Sequence, residues 1–78
     1  MESLQHRIIK VMSSVFEIEH EAISESSSSD NIESWDSLRH LNLILALEEE
    51  FEITIPDEEV GNLVNLRLIE MVVTECIN

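Results

Sequence analysis

Apolar residues recur with a helical period over most of this chain. Leu4, Ile8, Val11 and Val15 stand at i, i+4, i+7 and i+11, with Met12 beside them, which predicts a first helix ending near Phe16 or Glu17. Ser3 suits its N-cap. The pattern then lapses from Glu19 to Trp35. The centre of that stretch, residues 24–31, is five serines among Glu25, Asp30 and Asn31, too polar to bury. It predicts a long solvated connector, a phosphorylation target being the less ordinary reading, with Ile18, Ile23, Ile32 and Trp35 anchoring its ends. Periodicity resumes in a second helix from Asp36-Ser37 to about Phe51, with Asp36 placed as an N-cap or first-turn acid. Phe51 to Ile55 alternates like a strand, but a lone strand has nothing to pair with, so Ile53 and Ile55 are expected to plug the core from an extended connector. Pro56 suits the first position of a short third helix that Gly61-Asn62 would stop. A last helix over about Asn65 to Ile77 puts Leu66, Ile69, Val73, Cys76 and Ile77 on one face. The expected fold is all-α: a small four-helix bundle with a long loop after the first helix and a short third helix, one domain over residues 1–78.

The second helix carries more apolar surface than a small core needs. With residues about 100° apart around the axis, Leu43, Ile44, Leu47 and Phe51 fall on one side and Leu38, Leu41 and Leu45 on another. Arg39, Asn42, Ala46, Glu49 and Glu50 complete the circle. Either the helix is central and buries both stripes, or one stripe stays exposed for a partner. Periodicity leaves both readings open.

Composition narrows the partners. Among 78 residues, 17 are Asp or Glu and four are Lys or Arg, a formal charge of −13. Nucleic acid and anionic membranes both require clustered cations, so neither is expected, and a basic protein partner is. The single Cys76 precludes an internal disulfide, fits a small core position, and could pair only between molecules. No apolar run is long enough to span a membrane, and the N-terminal residues lack a signal-peptide stretch, so a soluble cytoplasmic monomer is expected.

Ser37 is the candidate for chemistry. It lies at a loop rim where an enzyme can reach its hydroxyl, beside unpaired amides and the positive end of a helix dipole, which tolerate phosphate. On the residues alone an ordinary capping serine is the stronger reading, because capping serines are common. Asp36, Ser37 and His40 could suggest a hydrolase triad, but no oxyanion hole or substrate cleft accompanies them, so no catalytic residue is assigned. His40 is expected to make a structural hydrogen bond at the core edge, or to sit near a phosphate on Ser37. The acidic run Glu48 to Glu59 lacks a calcium-loop order, and His6, His20, His40 and Cys76 lack metal-ligand spacing, so no metal site is expected.

Trp35-Asp36-Ser37-Leu38, then Leu41, Leu43, Leu47-Glu48-Glu49-Glu50-Phe51-Glu52-Ile53 and Ile55-Pro56-Asp57-Glu58, resembles the acyl carrier proteins over essentially the whole chain. The resemblance implies a covalent shuttle and not an enzyme. Ser37 would receive a 4′-phosphopantetheine arm from coenzyme A, installed by a phosphopantetheinyl transferase. The arm's thiol would carry acyl groups as thioesters between acyl-loading and acyl-accepting enzymes with basic docking surfaces. It also implies that Leu38, Leu41 and Leu45 face partners, that Leu43, Leu47 and Phe51 pack inward, and that Glu48 meets partner cations. Asp36 and Arg39 complete the implied partner surface beside Ser37.

The sequence departs from the fatty-acid carriers at Arg39 and Asn42, usually acidic, and at Trp35, usually small. Both departures count against a housekeeping fatty-acid role. They point to a dedicated carrier in a specialised pathway, with polyketide-like, aminoacyl or polysaccharide-modifying chemistry. A reading from another class is a small acidic adaptor that binds partners through Leu38, Leu41 and Leu45 without a prosthetic arm.

Overall fold

The computed structural model describes residues 3–24, 27–30 and 32–77; Glu25, Ser26 and Asn31 of the serine stretch lie outside them. The chain forms helices α1 (Leu4–Phe16), α2 (Ser37–Phe51), α3 (Asp57–Val60) and α4 (Leu66–Ile77), plus one 3-10 turn at His20–Ala22. The fold is all-α, as the periodicity predicts, and no described helix is long and apolar enough to cross a membrane.

Local chemistry sets the helix boundaries. Ser3 caps α1, its hydroxyl accepting the His6 amide at 3.1 Å. Both long helices end on a glutamate in the left-handed region: Glu17 at φ 54° and Glu52 at φ 53°. In each case one carbonyl four residues back takes that amide and the next: Ser13 for Glu17 and Ile18, Glu48 for Glu52 and Ile53. Pro56 is the N-cap of α3, one position earlier than expected, and Gly61 follows its end. The offset costs nothing, since Pro needs no amide partner at either position.

Two arginines bind α1 and α2 antiparallel. Arg7, near the start of α1, reaches the end of α2: it pairs with Glu50 at 3.0 Å, donates to the Glu50 carbonyl at 3.0 Å, and lies 4.5 Å over the Phe51 ring. Arg39, near the start of α2, reaches the end of α1: it donates to the Val15 carbonyl at 2.9 Å and pairs with Glu17 at 3.0 Å. Each cation thus meets carbonyls at a helix C-terminus, the negative end of its dipole.

The core joins Ile8, Met12 and Phe16 of α1, Leu43, Ile44 and Leu47 of α2, and Leu66, Ile69, Val72 and Val73 of α4. Ile23, Ile32, Trp35, Ile55 and Leu63 enter it from the connections. The α1 stripe is therefore rotated from the one expected. Val11 and Val15 are only half-buried, because α1 packs against α2 on one side and α4 on the other and its inward line falls between the two flanks. Phe51 and Ile53 are also half-buried. On α4, Val72 widens the buried face and leaves Ile77 at its edge, exposed, while Cys76 is half-buried with Sγ 3.6 Å from the Thr54 carbonyl.

The serine stretch is not a plain solvated connector. Ser27 is buried, its hydroxyl accepting the Ser24 amide at 2.8 Å and its carbonyl the Leu66 amide at 3.3 Å. Ser28 forms an antiparallel bridge with Asn65, and the Ser29 amide donates to the Val64 carbonyl at 2.9 Å. Polarity did not prevent burial because the strap satisfies its backbone against the start of α4.

Candidate functional site

The N-terminus of α2 is fixed from both sides. Asp36 caps it: its carboxylate accepts the Arg39 amide and its carbonyl the His40 amide, both at 2.8 Å. The chain arrives through a turn closed by Trp35 N–H to the Ile32 carbonyl at 3.1 Å, and the Ser34 hydroxyl donates to the Phe16 carbonyl at 3.0 Å. Trp35 is buried, its ring 4.7 Å from that of Phe16. Ser37 is the first residue of the helix and exposed. Its hydroxyl therefore projects from a rigid rim, next to first-turn amides that have no intrahelical acceptor.

Geometry decides between the two apolar stripes. Leu43, Ile44 and Leu47 are buried, whereas Leu38, Leu41 and Leu45 are 69%, 56% and 64% exposed. Three leucines on one ridge, starting next to Ser37, form an unpartnered apolar face. Two grooves flank it. One, of about 630 Å³, is lined by Ser29, Trp35, His40, Leu41, Gly61 and Val64 beside Ser37. The other, of about 420 Å³, runs between Leu41, Leu45, Glu48 and Val60.

Two residues of the expected partner surface also make contacts within the fold. Arg39 is turned across the helix pair onto Val15 and Glu17, because the carbonyls ending α1 are the nearest acceptors for its guanidinium. Glu48 is half-buried and its carboxylate accepts the Ile55 amide at 2.8 Å, which ties the connector to α2. The extended connector leaves that amide without a backbone partner, and Glu48 is placed to supply one. Both of these side chains thus have internal work to do.

His40 makes the structural hydrogen bonds expected of it, and two of them. Its Nδ1 accepts from the Trp35 indole N–H at 3.0 Å, and its Nε2 donates to the Val60 carbonyl at 2.7 Å. The indole can only donate and the carbonyl only accept, so the ring is the neutral Nε2–H tautomer. With both nitrogens engaged, His40 has none left to activate the Ser37 hydroxyl or hold a phosphate on it. The Trp35–His40–Val60 chain was not visible in the sequence; a lone Trp five residues before a His is the one local hint.

No family model matches the chain. Among solved structures it is similar to a holo acyl carrier protein from Geobacter metallireducens, determined in solution by NMR, with a TM-score of 0.82 and 26% sequence identity. The match covers 94% of this chain and 84% of that one. This likeness supports the resemblance to the acyl carrier proteins. This likeness spans all four helices, and the departures from the acyl carrier pattern at Trp35 and Arg39 now have structural roles: Trp35 fills the core next to Phe16 and Arg39 clamps α1 to α2.

Proposed function

We infer that this chain carries acyl groups as thioesters on a 4′-phosphopantetheine arm joined to Ser37, and delivers them to partner enzymes. The observation that carries the reading is an exposed serine hydroxyl at the first position of α2, adjoining an exposed leucine ridge, in the fold of a holo acyl carrier protein. The residues suit the arm. Ser37 is accessible, first-turn amides of α2 lie beside it, and Asp36 already spends its carboxylate on the Arg39 amide. When attached, the arm supplies a thiol that keeps the acyl carbon electrophilic.

Ser37 is the acceptor of the arm. Leu38, Leu41 and Leu45 offer apolar contact to the transferase and to the acyl-handling enzymes, and the acid-rich surface steers basic docking faces toward it. Arg39, Asn42 and Trp35, in place of the acids and the small residue of fatty-acid carriers, support a dedicated carrier in a specialised biosynthetic pathway.

Incubation with coenzyme A, magnesium and a broad-specificity phosphopantetheinyl transferase, followed by intact-mass measurement, tests the arm. A gain of one phosphopantetheine that Ser37→Ala abolishes is the expected result. No gain on the folded wild-type chain sinks the reading and leaves the armless adaptor. The mass of the protein purified from its own cells then identifies the cargo; a plain long-chain fatty acyl group would contradict the specialised role.

A further inference from the structure

α3 is the least anchored helix of the fold. It has four residues, no side-chain cap at its start and no buried residue. It nevertheless lines one groove beside the leucine ridge through Asp57 and Val60, and Gly61, just past its end, lines the other. Its end is held by the hydrogen bond from His40 Nε2 to the Val60 carbonyl, and the same imidazole takes the indole proton of Trp35. Trp35 lies two residues before Ser37, in the chain segment that enters α2. The indole and imidazole planes are nearly parallel, 25° apart with centroids at 6.2 Å. One side chain on α2 therefore ties together the segment leading to Ser37 and the edge of the groove beside the leucine ridge.

The geometry points to His40 as a positioning residue for Ser37: through Trp35 on one nitrogen and Val60 on the other, it fixes α3 relative to the serine so that a transferase finds both in one arrangement. This rests on the carrier reading and deepens it. His40 does not touch the reacting atoms, since both its nitrogens are committed elsewhere. Removing it therefore acts on recognition. Binding of the chain by the transferase weakens, and turnover of the bound chain is retained.

The two halves of the latch are separable by substitution. His40→Gln places an amide near the Nε2 position and keeps a donor for Val60, but loses the acceptor for Trp35. His40→Asn places its oxygen near the Nδ1 position and keeps that acceptor, but loses the bond to Val60. His40→Leu loses both, and Trp35→Phe removes the indole donor while keeping an aromatic ring on Phe16. Arm transfer from coenzyme A to Ser37 is measured for each as KM and kcat with the chain as varied substrate. Amide hydrogen exchange over residues 57–61 is measured alongside. Loss of one buried hydrogen bond corresponds to roughly a fivefold to tenfold change. His40→Leu is expected to raise KM by about that much with kcat within roughly twofold, His40→Gln and His40→Asn to fall between it and wild-type, and exchange in α3 to quicken in Leu and Asn but not in Gln.

Wild-type KM in His40→Leu overturns the proposal, as does a loss carried by kcat alone. Should His40→Leu not fold, the Gln, Asn and Trp35→Phe chains decide by the same criteria. Should even wild-type accept no arm, the carrier reading fails separately, and unchanged α3 exchange between wild-type and His40→Asn then overturns the latch itself.

Discussion

Asp36 and Ser37 are neighbours with separable duties. The Asp36 carboxylate caps α2, while no hydrogen bond of the fold depends on the Ser37 side chain among the described residues. Asp36→Ala is therefore expected to lower stability by about 1 kcal/mol, the usual value of an N-cap. Ser37→Ala should stay within about 0.5 kcal/mol of wild-type, as exposed substitutions do, while losing the arm altogether. Urea unfolding of both variants checks the first claim and intact mass the second. A Ser37→Ala chain destabilised as much as Asp36→Ala would mean that the serine is a structural cap after all. These two residues were legible in the sequence because a helix start is decided by immediate neighbours. The partners of His40 were not, because Trp35 and Val60 reach it from two other segments and only packing brings them together.

Among elements, α2 divides a buried face from an exposed one, and the proposed function assigns stability to the first and recognition to the second. Leu47 is fully buried and Leu45, two residues earlier, is 64% exposed. Leu47→Ala should cost roughly 2–5 kcal/mol, by lost burial and the cavity left behind. Leu45→Ala should leave the thermal midpoint nearly unchanged and weaken transferase binding; calorimetry and KM measured on the same samples would show whether the two effects divide in this way. A second prediction concerns how the helix ends. Glu52 holds a left-handed conformation that favours glycine, and it has no hydrogen-bonded or ion-paired side chain among the described residues. Glu52→Gly should therefore stabilise the fold by about 1 kcal/mol, seen as a thermal midpoint raised by roughly 4–8 °C. An unchanged or lower midpoint would mean that glycine's extra freedom in the unfolded chain offsets the relieved strain. The helices were readable from spacing, but their buried faces only in part: the α1 line turns from Val11 and Val15 to Met12 and Phe16, and spacing left both α2 stripes open. The serine strap was not: its burial depends on amide partners at Val64 and Leu66, far along the chain, which composition does not reveal. The clamp made by Arg39 was hidden for a related reason, because a charge in sequence does not show which helix end lies within its reach.

For the whole molecule, charge acts on folding and on encounter with opposite signs. Seventeen acids face four Lys and Arg. Two of those four, Arg7 and Arg39, are spent on glutamates and carbonyls of the chain's own helix ends. The exterior field is therefore negative, and the acids repel one another most when the chain is compact. Raising salt from ~0.1 M to ~1 M shortens the screening length from ~10 Å to ~3 Å. Self-repulsion then falls, so the thermal midpoint should rise. The same screening removes the attraction that steers a basic enzyme toward Ser37, so kcat/KM for arm transfer should fall, mainly through KM. Melting curves and transfer rates taken across one sodium chloride series would test both arms together, with the transferase's activity on a short serine peptide as its own salt control. If stability rises while transfer on the folded chain is indifferent to salt, recognition rests on the apolar ridge of Leu38, Leu41 and Leu45 alone, and the acidic surface serves solubility instead of partner choice.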